Sequence, residues 1–299
     1  MTDRFKGILS ITASALGFAA MAMLVRLADD YGEPVSSFQK SFFRNIIALI
    51  IAIFVFLKYK NKKQPSKHFS PPSRKVYFLM LLRSLSGCIG IFANFYALSK
   101  IPIAEAMALN KTAPFFTVAL SWIFLKEKAS LIQFASLATA FTGVLMVIKP
   151  GFCGQDSFAL ACALIGGLGA GIAYTCVRSL GLLNVNPALI VLFFSAFSSI
   201  ASVPFMAGDF TAMTLAQTAI LLCAGVAAAI GQFGITLAYR YAAPRQIAVY
   251  DYSSILFTAM FGFIFFSQVP DLFSTAGFVL IAAAAFLANN LPACKAARR

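Results

Sequence analysis

Long uninterrupted runs of apolar residues constrain this chain more than any other feature of its sequence. A helix needs roughly 20 apolar residues to cross the hydrocarbon core of a bilayer. Hydrophobic residues make up 60% of the 299 residues and charged residues 11%, whereas a water-soluble domain carries about 25% charged residues. The runs are continuous and lack the alternation of a membrane β-barrel. The sequence therefore predicts an all-α polytopic membrane protein.

Charges, prolines and asparagines divide the apolar sequence into ten predicted transmembrane helices. The first could pass for a signal peptide, because basic residues precede a short apolar stretch. Nine further spans follow it, so we expect an uncleaved first helix. The predicted spans are 7–28, 36–57, 76–99, 103–125, 130–149, 157–180, 187–207, 213–239, 245–267 and 272–292.

The formal net charge of +14 is explained by the position of the basic residues. If the N-terminus is cytoplasmic, sixteen Lys and Arg fall in the inner segments, and only Lys100 and Lys149 fall in the outer ones. This bias follows the positive-inside rule. We therefore expect cytoplasmic termini in an inner-membrane, multi-pass protein, with the lipid bilayer and not nucleic acid as its partner. The basic loop 58–75 is interpreted as a solvated tether on an anionic leaflet.

The second half of the chain repeats the pattern of the first. A shift of 141 residues aligns the segment from Phe92 with the segment from Phe233, and a shift of 152 residues aligns Gly17 with Gly169. We therefore predict two five-helix repeats, residues 1–150 and 151–299. Because five is odd, the second repeat crosses the membrane in the opposite sense, which is typical of secondary transporters. A static pore or scaffold is the alternative.

Two segments resemble the EamA-type transporters of the drug/metabolite transporter superfamily. They are RSLSGCIGIFANFYALSKIPIAEAMALNKTAPFFTVALSWIFLKEKASLIQFASLATAFTGVLMVIKP from Arg83 to Pro150, and VRLADDYGEPVSSFQKSFFRN near the first loop. The short LKEK turn with Glu127 is the most specific element; Gln268 stands where many members carry a second Glu. The resemblance is strongest to bacterial relatives of S-adenosylmethionine carriers and of acyl-malonyl-condensing-enzyme-like carriers. It implies a solute carrier without naming the solute.

Four charged residues lie deep inside predicted spans and are our candidates for substrate binding: Arg44, Arg83, Lys111 and Asp251. Each is about 10 Å inside its span boundary, too deep for contact with lipid headgroups. Charges at such depth usually face a cavity or a partner. Other span charges lie near span ends, where long side chains can reach the headgroups. These are Arg26, Lys40, Glu105 and Arg178.

Depth sorts the four candidates into two pairs. Arg83 and Asp251 are expected to form an ion pair in the inner half. Arg44 and Lys111 form a basic pair in the outer half without an obvious carboxylate, which suggests a carboxylate or phosphate on the solute. Bonds from these cations to backbone carbonyls are the alternative. Asp251 is also a candidate for proton coupling, unless it is a permanent partner of Arg83.

Aromatic residues at similar depth are candidates for the walls of a cavity. Phe95, Tyr174, Tyr250 and Tyr252 could surround a planar or zwitterionic solute. Since the chain has 32 Phe, core packing is the alternative for each aromatic residue. The GGLGAG segment, 166–171, predicts close helix packing.

The sequence as a whole predicts a secondary transporter that works by alternating access. Its expected substrate is a small polar metabolite: an amino acid, a nucleotide-derived compound such as S-adenosylmethionine, or another carboxylate-bearing solute. A membrane enzyme is the rival, but the only histidine, His68, lies in a polar loop, and no cysteine or carboxylate cluster has the spacing of a site. We therefore expect no enzymatic activity, cofactor or metal. A channel or a non-transport scaffold is a further alternative.

Overall fold

The computed structural model describes residues 2–62, 73–151, 154, 156–208 and 210–290. Within these ranges the chain forms helices, turns and no β-strand. Most of the predicted basic loop and the C-terminal basic residues lie outside the described ranges. The helices are α1 Asp3–Ala28, α2 Ser37–Lys62, α3 Arg74–Lys100, α4 Ile103–Asn110, α5 Ala113–Leu125, α6 Leu131–Ile148, α7 Ser157–Leu182, α8 Pro187–Gly208, α9 Leu215–Tyr241, α10 Pro244–Ile247, α11 Ser253–Phe266 and α12 Leu272–Asn290.

The predicted all-α membrane class is confirmed. Among the described residues, nine helical segments are long and apolar enough to cross a membrane, and Leu272–Ala288 is a shorter apolar helix. Their outward faces expose large apolar side chains such as Ile123, Phe124 and Ile200, which are 68%, 71% and 74% exposed. Side chains of this kind are stable only against an apolar solvent, because water penalises exposed apolar surface. The protein is therefore a multi-pass membrane protein.

Two of the predicted spans are broken in the middle. The fourth divides into α4 and α5 at Lys111 and Thr112, and the ninth begins as α10 and a 3₁₀ turn, Ala248–Tyr252, before α11. The break lies just before Pro114, which occupies the first turn of α5, where its missing N–H costs no helical hydrogen bond.

Four helix pairs hold the bundle together: α1 with α9, α3 with α7, α2 with α8, and α6 with α12. Glycines let the first two pairs approach closely. A Cβ on Gly17 would lie 2.7 Å from the backbone nitrogen of Gly231, and a Cβ on Gly169 would lie 2.6 Å from the carbonyl oxygen of Ser86. The predicted close packing of the GGLGAG segment is confirmed, and it positions α7 against α3.

We expect Gly17→Ala to destabilise the protein by about 1–3 kcal/mol, because the new methyl meets immovable backbone at the α1–α9 crossing. The measurement is the thermal unfolding midpoint in detergent. Gly208→Ala is the matched control, since nothing lies within 4 Å of a Cβ at that position. Equal midpoints for the two variants would show that the crossing tolerates a side chain.

Ion pairs connect helix ends on the side of the bundle opposite the start of α1. Lys40 of α2 binds Asp29 at 2.7 Å. Lys149, at the end of α6, pairs with Asp271, which precedes α12. The hydrogen bond from Lys149 and a backbone N–H from Ser274 hold the pKa of Asp271 well below its usual range. These contacts fix how α2, α6 and α12 enter the bundle.

Candidate functional site

Two arginines from neighbouring helices lie together in the middle of the bundle. Arg83 of α3 is 3% exposed, and its Nη2 donates to the side-chain oxygen of Gln232 on α9 at 3.1 Å. Its guanidinium carbon lies 3.5 Å from the ring centroid of Phe194 on α8. Arg44 of α2 is within electrostatic range of Arg83. Helices from both halves of the chain therefore surround this pair of cations.

The two guanidinium groups are incompletely satisfied. Among the residues that the structure describes, Nε and Nη2 of Arg44 and Nε of Arg83 are buried without a hydrogen-bond partner. In the described ranges no carboxylate lies within 4 Å of either side chain. Buried donors without acceptors are costly, and buried cations more so. The pair is therefore suited to bind an anionic group by charge-assisted hydrogen bonds.

A polar face of α8 borders the arginines. Asn45, beside Arg44 on α2, donates to the hydroxyl of Ser198 at 2.7 Å. Cys88 of α3 interacts electrostatically with both arginines and hydrogen bonds with the same Ser198. The hydroxyls of Ser195 and Ser199 are buried without a partner. These small hydroxyls supply neutral donors and acceptors next to the cationic pair.

Tyr174 interacts electrostatically with both arginines and with Asp251. Its ring packs on Tyr239 of α9, with centroids 5.4 Å apart and ring planes 30° apart. Four candidate residues from α2, α3, α7 and the broken ninth span are thus brought into one region.

The predicted pairing of charges is wrong. No ion pair within 4 Å joins Arg83 to Asp251 among the described residues, because Arg83 is held by Gln232 and Phe194. Arg44 is within electrostatic range of Arg83, and the ammonium of Lys111 donates to Ser254. The angular position of each helix, which decides the neighbours of its charged residues, could not be obtained from the sequence.

The two helix breaks contact each other directly. The Lys111 ammonium donates to the Ser254 hydroxyl at 2.7 Å, and the Tyr252 hydroxyl donates to the backbone carbonyl of Lys111 at 3.0 Å. Ser254 in turn donates to the carbonyl of Asp251 at 2.8 Å. Backbone groups released by a break inside a membrane need such partners. The contact couples the position of Lys111 to that of Asp251.

We expect Tyr252→Phe to cost about 0.5–1.5 kcal/mol of stability, because the carbonyl of Lys111 loses its partner in a fully buried position. The thermal unfolding midpoint in detergent measures the loss. Tyr241→Phe is the control, because Tyr241 is 38% exposed and its ring contact with Lys6 survives the change. A midpoint unchanged in Tyr252→Phe would show that the contact between the breaks contributes nothing.

Two further predicted residues are placed differently. The hydroxyl of Tyr250 donates to the carbonyl of Ala285 on α12 at 3.1 Å, and so Tyr250 connects helices instead of facing the arginines. Tyr252 is fully buried and acts through the break described above. The side chain of Phe95 lies outside the described part of the structure. Sequence reasoning missed Phe194 as the partner of Arg83, since no feature distinguishes it from the other phenylalanines.

Arg178 lies near the end of α7 as predicted, but the expectation that its side chain reaches the headgroups is wrong. Arg178 is 9% exposed, and its Nε and Nη2 donate to Oε1 of Glu127 at 3.0 and 2.7 Å. Glu105 is 5% exposed and accepts the N–H of Gly151 at 2.8 Å. Burial of Arg178 requires the carboxylate of Glu127, which lies 51 residues away in sequence.

A cavity of about 220 Å³ lies between α4, α6, α11 and α12. Its walls are mainly apolar and include Met107, Val147, Ile255 and Phe278, with Gln268 at one edge. None of the arginines lines it. It lies toward the end of the bundle where α6 and α11 finish.

Comparisons with known proteins agree with this architecture. Residues 5–149 match the sequence profile of the EamA-like transporter family. A solved crystal structure superposes with a TM-score of 0.75 over 93% of this chain and 98% of its own, at 16% identity. At that identity the likeness concerns the fold.

Curated relatives are named as transporters. The chain is 29% identical to the pseudopaline exporter CntI of Pseudomonas aeruginosa, over 93% of this chain and 94% of the exporter. It is 28% identical to a riboflavin transporter of Rhizobium johnstonii, over 71% and 68% of the two chains. It is 25% identical to an S-adenosylmethionine uptake transporter of Rickettsia bellii, over 89% and 90%. These names point to transport and not to enzymatic activity.

Proposed function

We propose that the protein is a secondary carrier for a small, carboxylate-bearing polar solute, because residues 5–149 match the sequence profile of the EamA-like transporter family. Amino acids, nucleotide-derived compounds such as S-adenosylmethionine, and other organic acids are the candidate classes. The carrier works by alternating access, so the central site opens to one side of the membrane at a time.

The observation that carries the substrate class is the pair of incompletely satisfied arginines. Three buried guanidinium nitrogens of Arg44 and Arg83 have no acceptor in the described part of the chain. A carboxylate offers two oxygens with about four acceptor positions and a negative charge, which matches this deficit. Tyr174 and the serine hydroxyls of α8 are suited to the neutral parts of the solute. Lys111 and Asp251 complete the site from the two broken spans.

Alternating access rests on a two-repeat architecture, residues 1–150 and 151–299, with ten spans. The turns after α5 and α11 support it, because Lys126 and Ser267, 141 residues apart, both have left-handed backbone, with φ of 58° and 51°. The helix pairs support it as well. In the two proposed repeats, α1 corresponds to α7, α2 to α8, α3 to α9 and α6 to α12. The contact of α1 with α9 therefore has the contact of α7 with α3 as its counterpart, and the α2–α8 and α6–α12 contacts each join corresponding helices.

Sidedness and coupling complete the proposal. Arg4 of α1 donates to the carbonyl of Ala288 near the end of α12, which supports placing the start of α1 and the end of α12 at the same end of the bundle. The basic segments assign this end to the cytoplasmic side of the inner membrane. Asp251 is half-buried and close to Tyr174 and Tyr252. We assign to it either proton coupling or recognition of a basic group on an exchanged solute.

A ligand screen followed by transport tests this function. Purified protein is heated with amino acids, nucleosides, S-adenosylmethionine, riboflavin and organic acids, because a ligand that binds the folded state raises the unfolding temperature. The strongest ligand is then used for counterflow in proteoliposomes. We expect stabilisation by carboxylate-bearing compounds and loss of that stabilisation for their amides or esters. Equal stabilisation by acid and ester would overturn the assigned substrate class.

A further inference from the structure

The end of the bundle where α1 begins, here called the terminal end, is held by Arg178 of α7. Its guanidinium makes two hydrogen bonds to Oε1 of Glu127, at 3.0 and 2.7 Å. Its Nη1 donates to the carbonyls of Tyr239 and Arg240 at the end of α9, at 3.1 and 3.3 Å. Oε2 of Glu127 accepts the hydroxyl of Ser121 at 3.1 Å. This group of contacts, the terminal latch, joins α5 of the first half to two helices of the second.

The opposite end carries a contact of the same design. With the amide of Gln268 oriented to suit its neighbours, its oxygen accepts from Nη1 and Nη2 of Arg26 at 2.8 and 3.2 Å. The guanidinium of Arg26 also lies 4.3 Å from the ring centroid of Phe266. We call this contact between α1 and the end of α11 the distal latch. It too joins the first half of the chain to the second.

The turns that present Glu127 and Gln268 are built alike. The N–H of Glu127 donates to the carbonyl of Ser121 at 3.3 Å, and the N–H of Gln268 donates to the carbonyl of Gly262 at 3.1 Å. Both turns span the same number of residues and follow a left-handed residue. The two latches therefore differ in side-chain chemistry and not in backbone form.

Side-chain chemistry makes the terminal latch the stronger one. Glu127 supplies a negative charge and Gln268 a neutral amide, so that only the terminal latch adds the attraction of an ion pair to hydrogen bonds from a guanidinium. The hydroxyl of Ser121 donates a further hydrogen bond to Glu127. Gly262, which occupies the corresponding place in the other turn, has no side chain that could do the same for Gln268. Burial favours the terminal latch too, because Arg178 is 9% exposed and Arg26 is an exposed residue.

We propose that this inequality sets the resting equilibrium of the carrier, so that the empty protein favours the state closed at the terminal end and open at the distal end. The proposal rests on the alternating-access mechanism proposed above. In such a cycle each latch must break when its end opens, and the difference between their free energies biases the two populations. Glu127 and Gln268 are thus positioning residues that act on access and not on the solute.

Reversing the chemistry of the two latches tests this proposal without any substrate. Hydrogen–deuterium exchange of the protein in lipid nanodiscs reports opening at each end, through peptides covering 178–186 and 26–36. Glu127→Gln should speed exchange at the terminal end and slow it at the distal end, by about fivefold to tenfold. Gln268→Glu should strengthen the distal latch, and should therefore also speed exchange at the terminal end and slow it at the distal end. The double variant, with the two residues exchanged, should invert the pattern of the unmodified protein.

Glu33→Gln is the matched control, since it removes one carboxylate from an exposed residue and should leave exchange at both ends unchanged. The proposal would be overturned if Glu127→Gln speeds hydrogen–deuterium exchange at the terminal end without slowing it at the distal end. That result would indicate local loosening only. Unchanged exchange in both single variants would also overturn it. Counterflow by the same protein is measured separately. Transport with unchanged exchange would then contradict the latch proposal alone, whereas an absence of transport would contradict the proposed function.

Discussion

Replacement of Arg44 by Gln is expected to reduce affinity for the carboxylate ligand by about 30-fold to 1000-fold, equivalent to about 2–4 kcal/mol. The reason is the geometry of the site, in which Nε and Nη2 of Arg44 are buried without a protein acceptor. Ligand-induced thermal shift gives the affinity, and counterflow gives the corresponding loss of transport.

The stability of the empty protein separates this role from a structural one. Removal of a buried cation that lacks a partner should leave the unfolding midpoint unchanged or raise it, because the cost of burying the charge disappears. Arg74→Gln is the control, since Arg74 is exposed at the start of α3. Arg44→Lys should recover only part of the affinity, because an ammonium cannot bind a carboxylate in a bidentate manner. A destabilised empty protein with full affinity would contradict the role.

Replacement of Lys111 by Met is expected to reduce the counterflow rate by about tenfold or more. Lys111 lies at the break between α4 and α5. Its ammonium is the only hydrogen-bonding group of its side chain, so any contact of this side chain with an anion or with the broken ninth span is made through the ammonium. Met preserves the length and the apolar stem, so the change removes mainly the charge. Initial rates in proteoliposomes at matched protein density measure the effect.

Ser254→Ala distinguishes two ways in which Lys111 could act. If Lys111 serves only to hold Ser254, at 2.7 Å, both variants should lose transport equally. We expect Ser254→Ala to cost no more than about 1 kcal/mol of stability and to retain most transport. Lys6→Met, at an exposed end of α1, controls for loss of a lysine. Full transport by the Lys111 variant would remove this residue from the mechanism.

The spans could be predicted from the sequence because burial in lipid imposes a simple rule on every crossing helix. Continuous apolar runs therefore located the helices well. The same rule hid the breaks at Lys111 and in the 3₁₀ turn Ala248–Tyr252, since the residues around them stay apolar. A break depends on partners such as Tyr252 and Ser254, which reach across from another helix. Hydropathy contains no information about those partners.

The candidate site was predictable in composition but not in pairing. A charge deep in a span must face the protein interior, and this rule is what directed attention to Arg44 and Arg83. Which groups those charges meet depends on helix rotation, and an α-helix rotates each successive residue by about 100°. A small error in the estimated rotation of a helix about its axis therefore changes which residue a given side chain contacts. This is why Arg83 contacts Gln232 and Phe194 instead of the expected Asp251.

Solute counterflow in proteoliposomes tests the central claim most directly. Vesicles containing the protein are loaded with the unlabelled carboxylate ligand found in the thermal-shift screen, and uptake of the labelled ligand is followed from outside. A carrier with one central site predicts transient accumulation above equilibrium, which should disappear in Arg44→Gln and persist in Arg74→Gln. Uptake that internal ligand does not stimulate, or stimulation that survives in Arg44→Gln, would contradict the account.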